Sequence, residues 1–270
     1  MSPRARKLTA AAAALAVLVA GVVVAVIELA ARSGPPANAQ CRVALGPSSY
    51  VIDLDQAANA TTIAGVGKRL GLPDHAVTVA VAVALQESGL HNLDHGDRDS
   101  LGLFQQRPSQ GWGTPAQIMT PTYAAQVFYE HLAQVPGWET LPVTDAAQRV
   151  QRSGAPQAYA QWEGEARAIA QATTGEIPAG LACRSATPET GTPVATVNAA
   201  LTTELGTPGL GTALADARGW TVASWLVGHA HRYGILSVSF QGRVWTPGTG
   251  AWRDGQPSTT DVRIALARSA

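Results

Sequence analysis

The sequence predicts two domains behind an N-terminal transmembrane segment, the first mainly α-helical and the second a small α+β unit. Three observations predict this. An apolar run over residues 8–30 follows a basic N-terminus. Helix start and stop signals then recur over residues 55–172. A stretch rich in Ser, Thr and Pro, RSATPETGTPVATVN at residues 184–198, separates those signals from a segment that mixes one amphipathic helix with alternating strands.

Composition narrows the function classes. The chain has 270 residues, 46% of them hydrophobic, with 19 Lys+Arg balancing 19 Asp+Glu. Such an apolar content excludes a wholly disordered chain. A net charge of zero argues against nucleic acid as the partner, because phosphate binding needs a cationic surface. Two cysteines make neither a disulfide-dense mini-protein nor a Cys-rich zinc protein.

Arg4, Arg6 and Lys7 precede the first apolar run, whose only charge is Glu28. As a helix, residues 8–30 span about 34 Å, enough for a hydrocarbon core of about 30 Å. The basic cluster keeps the N-terminus in the cytoplasm and puts everything after Arg32 outside. Residues 1–40 therefore read as a cytoplasmic tail with a signal anchor. The run is longer than a signal-peptide core, yet Ala37-Asn38-Ala39 is a small-x-small cleavage site. A single-pass membrane protein and a protein secreted after cleavage behind Ala39 both stay open. In either case Cys41 and Cys183 meet oxidising conditions, where a disulfide between them is the default.

Residues 41–183 form the first predicted domain. Asp55 is placed to cap a helix to about Leu70, and Gly71-Leu72-Pro73 stops it. Asp74 opens the next helix, AVTVAVAVALQES, which is apolar nearly all round and so belongs in a core. Thr120-Pro121, Thr144-Asp145 and Ala155-Pro156 mark further helix starts. Tyr159, Trp162, Ala166 and Ile169 then share one face. Residues 91–113 are rich in Gly and Asp with little period, as functional loops often are. In residues 199–270, an amphipathic helix over residues 220–233 precedes an alternating strand at residues 235–240. Gln241-Gly242 turns that strand into Arg243-Val244-Trp245, and residues 262–267 supply a last strand.

Glu87 is the candidate for chemistry. It ends the all-apolar helix and is followed by Ser88-Gly89-Leu90. A carboxylate at the rim of an apolar core loses water, which favours the protonated form that a general acid needs near neutral pH. Gly102-Leu103-Phe104-Gln105-Gln106 follows in the same irregular stretch. Asp94, Asp97 and Asp99 lie between the two segments, as a second carboxylate for a hydrolase or as turn residues. Glu87, His91 and His95 recur at four-residue steps, but Gly89, Asn92 and Gly96 break the helix that would align them on a metal. Trp112, Trp138 and Trp162 read as sugar platforms or as core.

The pairing of Glu87-Ser88-Gly89-Leu90 with Gly102-Leu103-Phe104-Gln105, and then Ala158-Tyr159-Ala160, resembles the soluble, goose-lysozyme-like lytic transglycosylases over residues 55–172. The third segment departs from the family, with Ala160 in place of Asn. The resemblance implies a lysozyme-like fold and a single catalytic Glu87. It implies a binding cleft served by Ser88, Gly102, Leu103, Gln105, Gln106 and Tyr159. Glu87 would protonate the glycosidic oxygen between MurNAc and GlcNAc and then serve as base on the sugar's own 6-hydroxyl, with no cofactor. Peptidoglycan glycan strands are the implied partner.

Residues 208–267 resemble zinc D-Ala-D-Ala carboxypeptidase-like domains at Leu210-Gly211-Thr212-Ala213-Leu214, Trp225-Leu226-Val227-Gly228-His229-Ala230, Tyr233-Gly234-Ile235 and Asp261-Val262-Arg263-Ile264. Pro208, Ala215 and Arg263 stand where that family has zinc ligands, so the likeness implies the fold without its metal. Trp220, Trp225, Trp245 and Trp252 read as core or contact residues, most of them core. The whole reads as an exported peptidoglycan-cleaving enzyme. The alternatives are a non-catalytic wall-binding or scaffold protein with a lysozyme-like fold, and a lysozyme-type hydrolase.

Overall fold

The first strand lies where side chains alternate, Cys41 and Val43 in the core and Arg42 in solvent. The computed structural model describes residues 39–46, 48–155, 157–207, 209–255 and 257–268. Strand β1 (Gln40–Leu45) pairs antiparallel with β2 (Ser48–Ile52) on one side and β3 (Leu181–Arg184) on the other. Cys41 faces Cys183 across the ladder, and the two form a disulfide.

Helix α1 (Leu54–Arg69) starts two residues earlier than expected. Its cap is Asp53, whose carboxylate accepts the Gln56 N–H at 2.8 Å while Gln56 Oε1 accepts the Asp53 N–H at 2.8 Å. This reciprocal pair satisfies two otherwise unpaired donors, which the lone Asp55 does not. Helix α2 (Asp74–Ser88) is buried at every position from 76 to 85. Around it stand α1, α4 (Pro121–Ala133), α5 (Val143–Gln151) and α6 (Glu163–Thr174), with the single turn α3 (Pro115–Ile118) leading into α4.

The expected division into a mainly α domain and a separate α+β domain does not hold. Residues 38–270 form one compact unit of mixed helix and strand. Among the described residues it contains nine α-helices and two small antiparallel sheets. The stretch read as a linker is built into it. Arg184 closes β3, Ser185 is buried with its N–H on the Pro247 carbonyl at 3.2 Å, and α7 (Val194–Leu205) begins inside the Pro-rich run. Helix α8 (Asp216–Gly228) packs on α1 and α6 as well as on the second sheet. Thr221 and Ser224 donate to the Thr174 and Ala172 carbonyls at 2.6 and 2.8 Å. A Cβ on Gly228 would lie 2.8 Å from Thr61 Oγ1, so only glycine lets α8 approach α1 this closely.

The second sheet runs β6-β5-β4-β7, with β4 (Ile235–Phe240), β5 (Arg243–Thr246), β6 (Ala251–Asp254) and β7 (Arg263–Leu266). The short helix α9 (Ala230–Tyr233) leads into β4. Gln241 and Gly242 both have positive φ, 48° and 79°, the two-residue turn whose twist suits a hairpin. Trp220, Trp225 and Trp245 are buried, and Trp252 is half-buried. Trp245 and Trp252 donate to the Cys183 and Leu181 carbonyls at 3.0 and 2.8 Å, so the second sheet hangs on the strand that carries the disulfide.

Among the described residues no helix is long and apolar enough to cross a membrane. The span expected over residues 8–30, the Ala37-Asn38 part of the cleavage signal, Pro156 and Pro208 lie outside the described residues.

Two predictions follow from this core. The disulfide closes a separation of 142 residues. Loop-closure entropy sets a ceiling of about 5 kcal/mol on its stabilisation. Urea unfolding with and without reductant should show a lower midpoint in the reduced protein, and coincident midpoints would refute a stabilising role.

The second concerns His229, which is buried, stacked on Trp225 at 4.1 Å and bonded through Nδ1 to the Trp225 carbonyl at 3.0 Å. Burial holds its imidazole below the ordinary 6.5, with the nearby Glu204 acting against that and Arg232 with it. The unfolded chain then takes up a proton that the folded chain refuses. Stability is therefore full above about pH 6.5 and falls as the pH drops below it. His229→Gln should flatten the fall in melting temperature on acidification, and an unchanged slope would remove His229 as its source.

Candidate functional site

Glu87 sits one residue from the end of α2, just past its enclosed stretch, and is half-buried. The helix stops there because Gly89 takes a left-handed φ of 60° and its N–H returns to the Leu85 carbonyl. Leu90 follows at φ 63° and is buried, which turns the chain away and leaves Glu87 at the rim. The carboxylate opens on a cleft of about 580 Å³. Among the described residues lining that cleft it is the one carboxylate; the others that matter are glutamines, arginines, Trp112 and His131.

The second segment is fastened to the end of α2. Ser88 Oγ lies 2.7 Å from the Leu103 carbonyl and 3.0 Å from the Ala84 carbonyl. Leu101 and Gln106 exchange backbone hydrogen bonds at 3.0 Å each, closing a small loop over residues 101–106. Gly102 turns at φ 75°, where a Cβ would fall 2.8 Å from the Ile118 carbonyl. Leu103 and Phe104 are buried, and Phe104 stacks on Phe128 at 4.8 Å. Gln105 holds a positive φ of 47° and reaches the His95 and Gly102 carbonyls at 3.3 Å through Nε2. Gln106 is buried with Nε2 on the Ala124 carbonyl at 3.0 Å. Gln105 and Gln106 thus line the cleft beside Glu87. Ser88, Gly102 and Leu103 join the two segments, and their polar groups are used inside the chain.

Tyr159 brings in the third segment. Its ring is buried, and its hydroxyl donates to Glu87 Oε1 at 2.7 Å. Burial, and then the neighbouring Glu87 charge, push the phenol above its ordinary 10.0, so it remains a donor throughout the working pH range. Ala160 begins a 3₁₀ turn, Ala160–Trp162, that clips back onto α2. Trp162 Nε1 and Gln161 Nε2 donate to Gln86 Oε1 at 2.8 and 3.1 Å.

The aspartates of the loop lie elsewhere. Asp99 accepts the Ser109 N–H at 2.8 Å and Arg107 Nε at 2.7 Å; these bonds, the Ser109 one foremost, hold its carboxyl well below the usual range. Asp94 accepts from His95 at 2.8 Å, and Asp97 lies 3.9 Å from Arg98. His91 pairs with Asp53 at 2.9 Å. The four-residue steps from Glu87 to His95 therefore do not converge, and among the described residues no three His, Cys, Asp or Glu are grouped to hold a metal.

Trp112 lies on the cleft, stacked on His131 at 4.1 Å. Trp138 is buried beside His75. Near the second sheet, Leu210 pairs with Val262 and Ala213 with Asp261, Ala215 immediately precedes α8, and Arg263 Nε donates to Asp261 at 2.8 Å. Sequence reasoning missed the part of the cleft lining supplied by the end of α5, where Gln151 donates to the Phe104 carbonyl at 2.9 Å and Arg149 and Arg152 stand alongside. The signal available was the run Gln148-Arg149-Val150-Gln151-Arg152 at a helix end, polar wherever it is not Val150.

If Glu87 is the catalytic acid that the sequence resemblance implies and Tyr159 positions it, Tyr159→Phe should lower kcat on a glycan substrate while leaving KM and the melting temperature nearly unchanged. One hydrogen bond to a charged group corresponds to roughly 10- to 100-fold. A loss confined to KM, or none, would place Tyr159 outside the positioning of Glu87.

No protein-family model matches this chain, and no curated protein matches it.

Proposed function

We propose that this protein is an exported peptidoglycan-cleaving enzyme, a lytic transglycosylase that breaks MurNAc–GlcNAc bonds with Glu87 as its one catalytic acid. The observation that carries the reading is a single cleft carboxylate held by a buried phenol, Tyr159 to Glu87 Oε1 at 2.7 Å. Glu87 Oε2 makes no hydrogen bond to a described residue and is left for the proton that moves.

The chemistry needs no second carboxylate. Protonated Glu87 gives its proton to the glycosidic oxygen as the bond from that oxygen to the MurNAc anomeric carbon breaks. The resulting carboxylate then takes the proton of the same sugar's 6-hydroxyl, whose oxygen closes on the anomeric carbon. The 1,6-anhydro ring forms, and Glu87 ends as it began. A hydrolase of the two-carboxylate kind needs a partner across the cleft, and Asp99 is engaged with Arg107 and Ser109. Gln105 and its neighbouring amides suit hydroxyl and N-acetyl groups, and Trp112, backed by His131, suits the face of a sugar ring.

The Cys41–Cys183 disulfide supports an oxidising compartment, whether the protein is tethered by residues 8–30 or released behind Ala39. Ala160, in place of the asparagine of the resembling family, favours one second reading, a non-catalytic wall-binding protein.

Glu87→Gln keeps the size and hydrogen bonding of the side chain but cannot deliver a proton. It should lower murein cleavage by roughly 10²- to 10⁴-fold with the fold intact by circular dichroism. Mass spectrometry of the products should find 1,6-anhydro ends, each lighter by one water than a hydrolysed end. Near wild-type lysis by the variant would remove Glu87 from the mechanism. A wild-type protein that binds murein without cleaving it would establish the non-catalytic reading.

A further inference from the structure

The cleft carries an excess of positive charge that the cleavage step does not use. Three guanidinium groups line it, those of Arg107, Arg149 and Arg152, against the one carboxylate of Glu87. Arg107 is committed to Asp99 at 2.7 Å. Arg149 reaches only the Pro136 carbonyl, at 3.4 Å. Neither Arg149 nor Arg152 pairs with a carboxylate among the described residues, and both are exposed. The chain as a whole is neutral, with 19 basic and 19 acidic residues, so the imbalance belongs to the cleft.

A basic residue in the last turn of a helix complements its negative end, and Arg149 fits that description. Arg152 does not. It stands beyond α5 at a left-handed φ of 53°, a conformation uncommon outside glycine and asparagine. The segment is pinned from both sides. The Arg152 N–H donates to the Gln148 carbonyl at 2.8 Å, and Gln148 Nε2 donates to the Ser153 carbonyl at 2.8 Å. Gln151 ties the same segment to Phe104 beside the second motif. The helix end is thereby fixed against the loop that supports Gln105, and its two guanidinium groups share the cleft with Glu87.

We propose that Arg149 and Arg152 form a carboxylate-binding wall that engages an anionic group of the substrate and makes the cleft prefer carboxylate-bearing glycan strands to neutral ones. The inference rests on the glycan-cleaving reading above and names the substrate class of that same cleft. A guanidinium offers a planar, two-point match to a carboxylate, which a sugar hydroxyl does not require. Two carboxylates of murein meet the requirement, the lactyl group of a peptide-free MurNAc and those of the stem peptide.

The test uses the full chain carrying Glu87→Gln, with and without the added pair Arg149→Gln and Arg152→Gln, titrated through tryptophan fluorescence. The probes are chitotetraose, which is neutral, a peptide-free GlcNAc–MurNAc oligosaccharide, and the same oligosaccharide with stem peptides. The added pair should weaken binding of a carboxylate-bearing probe by about 10- to 100-fold and leave chitotetraose unchanged. Loss on the peptide-free probe assigns the wall to the lactyl carboxylate, and loss on the peptide-bearing probe alone assigns it to the stem. Arg149→Lys with Arg152→Lys should retain part of the preference, because it keeps the charge and loses the two-point geometry. Equal weakening on all three probes, no weakening on any, or no binding of either anionic probe before the substitutions would overturn the proposal. Failure of the wild-type chain to cleave murein would sink the enzymatic reading alone, since these titrations measure binding.

Discussion

Helix α2 is enclosed on every side from residue 76 to residue 85, and the positions of its neighbours follow from that enclosure. An apolar helix with no polar face cannot rest at a surface, so it needs a ring of other helices. α1, α4, α5 and α6 provide the ring. Full burial of each Val or Leu side chain in α2 stabilises the fold by about 1.5–3 kcal/mol relative to exposure. The enclosure ends where Gly89 stops the helix, and this places a carboxylate at the edge of a dry core with a cleft before it. The segments that carry Ser88, Leu103 and Tyr159 all attach at that edge, through the Ser88–Leu103 and Tyr159–Glu87 bonds.

The C-terminal part belongs to the same body because α8 serves two layers. One side of it covers the second sheet, and the other meets α1 and α6. The joins are short hydroxyl and indole bonds to backbone carbonyls: Ser224 to Ala172, Thr221 to Thr174, Trp245 to Cys183, Trp252 to Leu181. Trp225 and Thr62 both donate to Glu204 at 2.7 Å, which fastens α7 between α1 and α8. The disulfide joins β1, at the start of the compact unit, to the edge strand β3 to which these indoles bond, so one covalent link ties the start of the unit to the strand that carries the second sheet.

Much of the site was legible because it depends on local chemistry. The apolar run before Glu87 marks a buried helix with a carboxylate at its end, and Gly89 marks where that helix breaks. The Gln241-Gly242 hairpin was legible for the same reason. The cap of α1 was misread, because Asp53 and Asp55 are equally good caps until Gln56 is seen to answer Asp53. Strands β1, β2 and β3 went unread. β1 and β3 are short and meet each other from opposite ends of the helical region, so only their pairing defines them. The cleft lining with Arg149 and Arg152 was also unread, since a helix end rich in Gln and Arg looks the same whether it faces bulk water or a cleft.

The sequence by itself determined the buried helix, its break at Gly89, the carboxylate at its rim and the second hairpin, because each follows from backbone propensity and apolar period within a few residues. It also singled out Cys41 and Cys183 as a pair, since no other cysteines exist. Only the tertiary structure decided that the two halves are one body, that Tyr159 holds Glu87, and that Asp99 is engaged with Arg107 instead of facing Glu87. Those outcomes depend on side chains far apart in the chain coming within hydrogen-bond distance. Composition and periodicity carry no information about which distant donor a given carboxylate or carbonyl will meet.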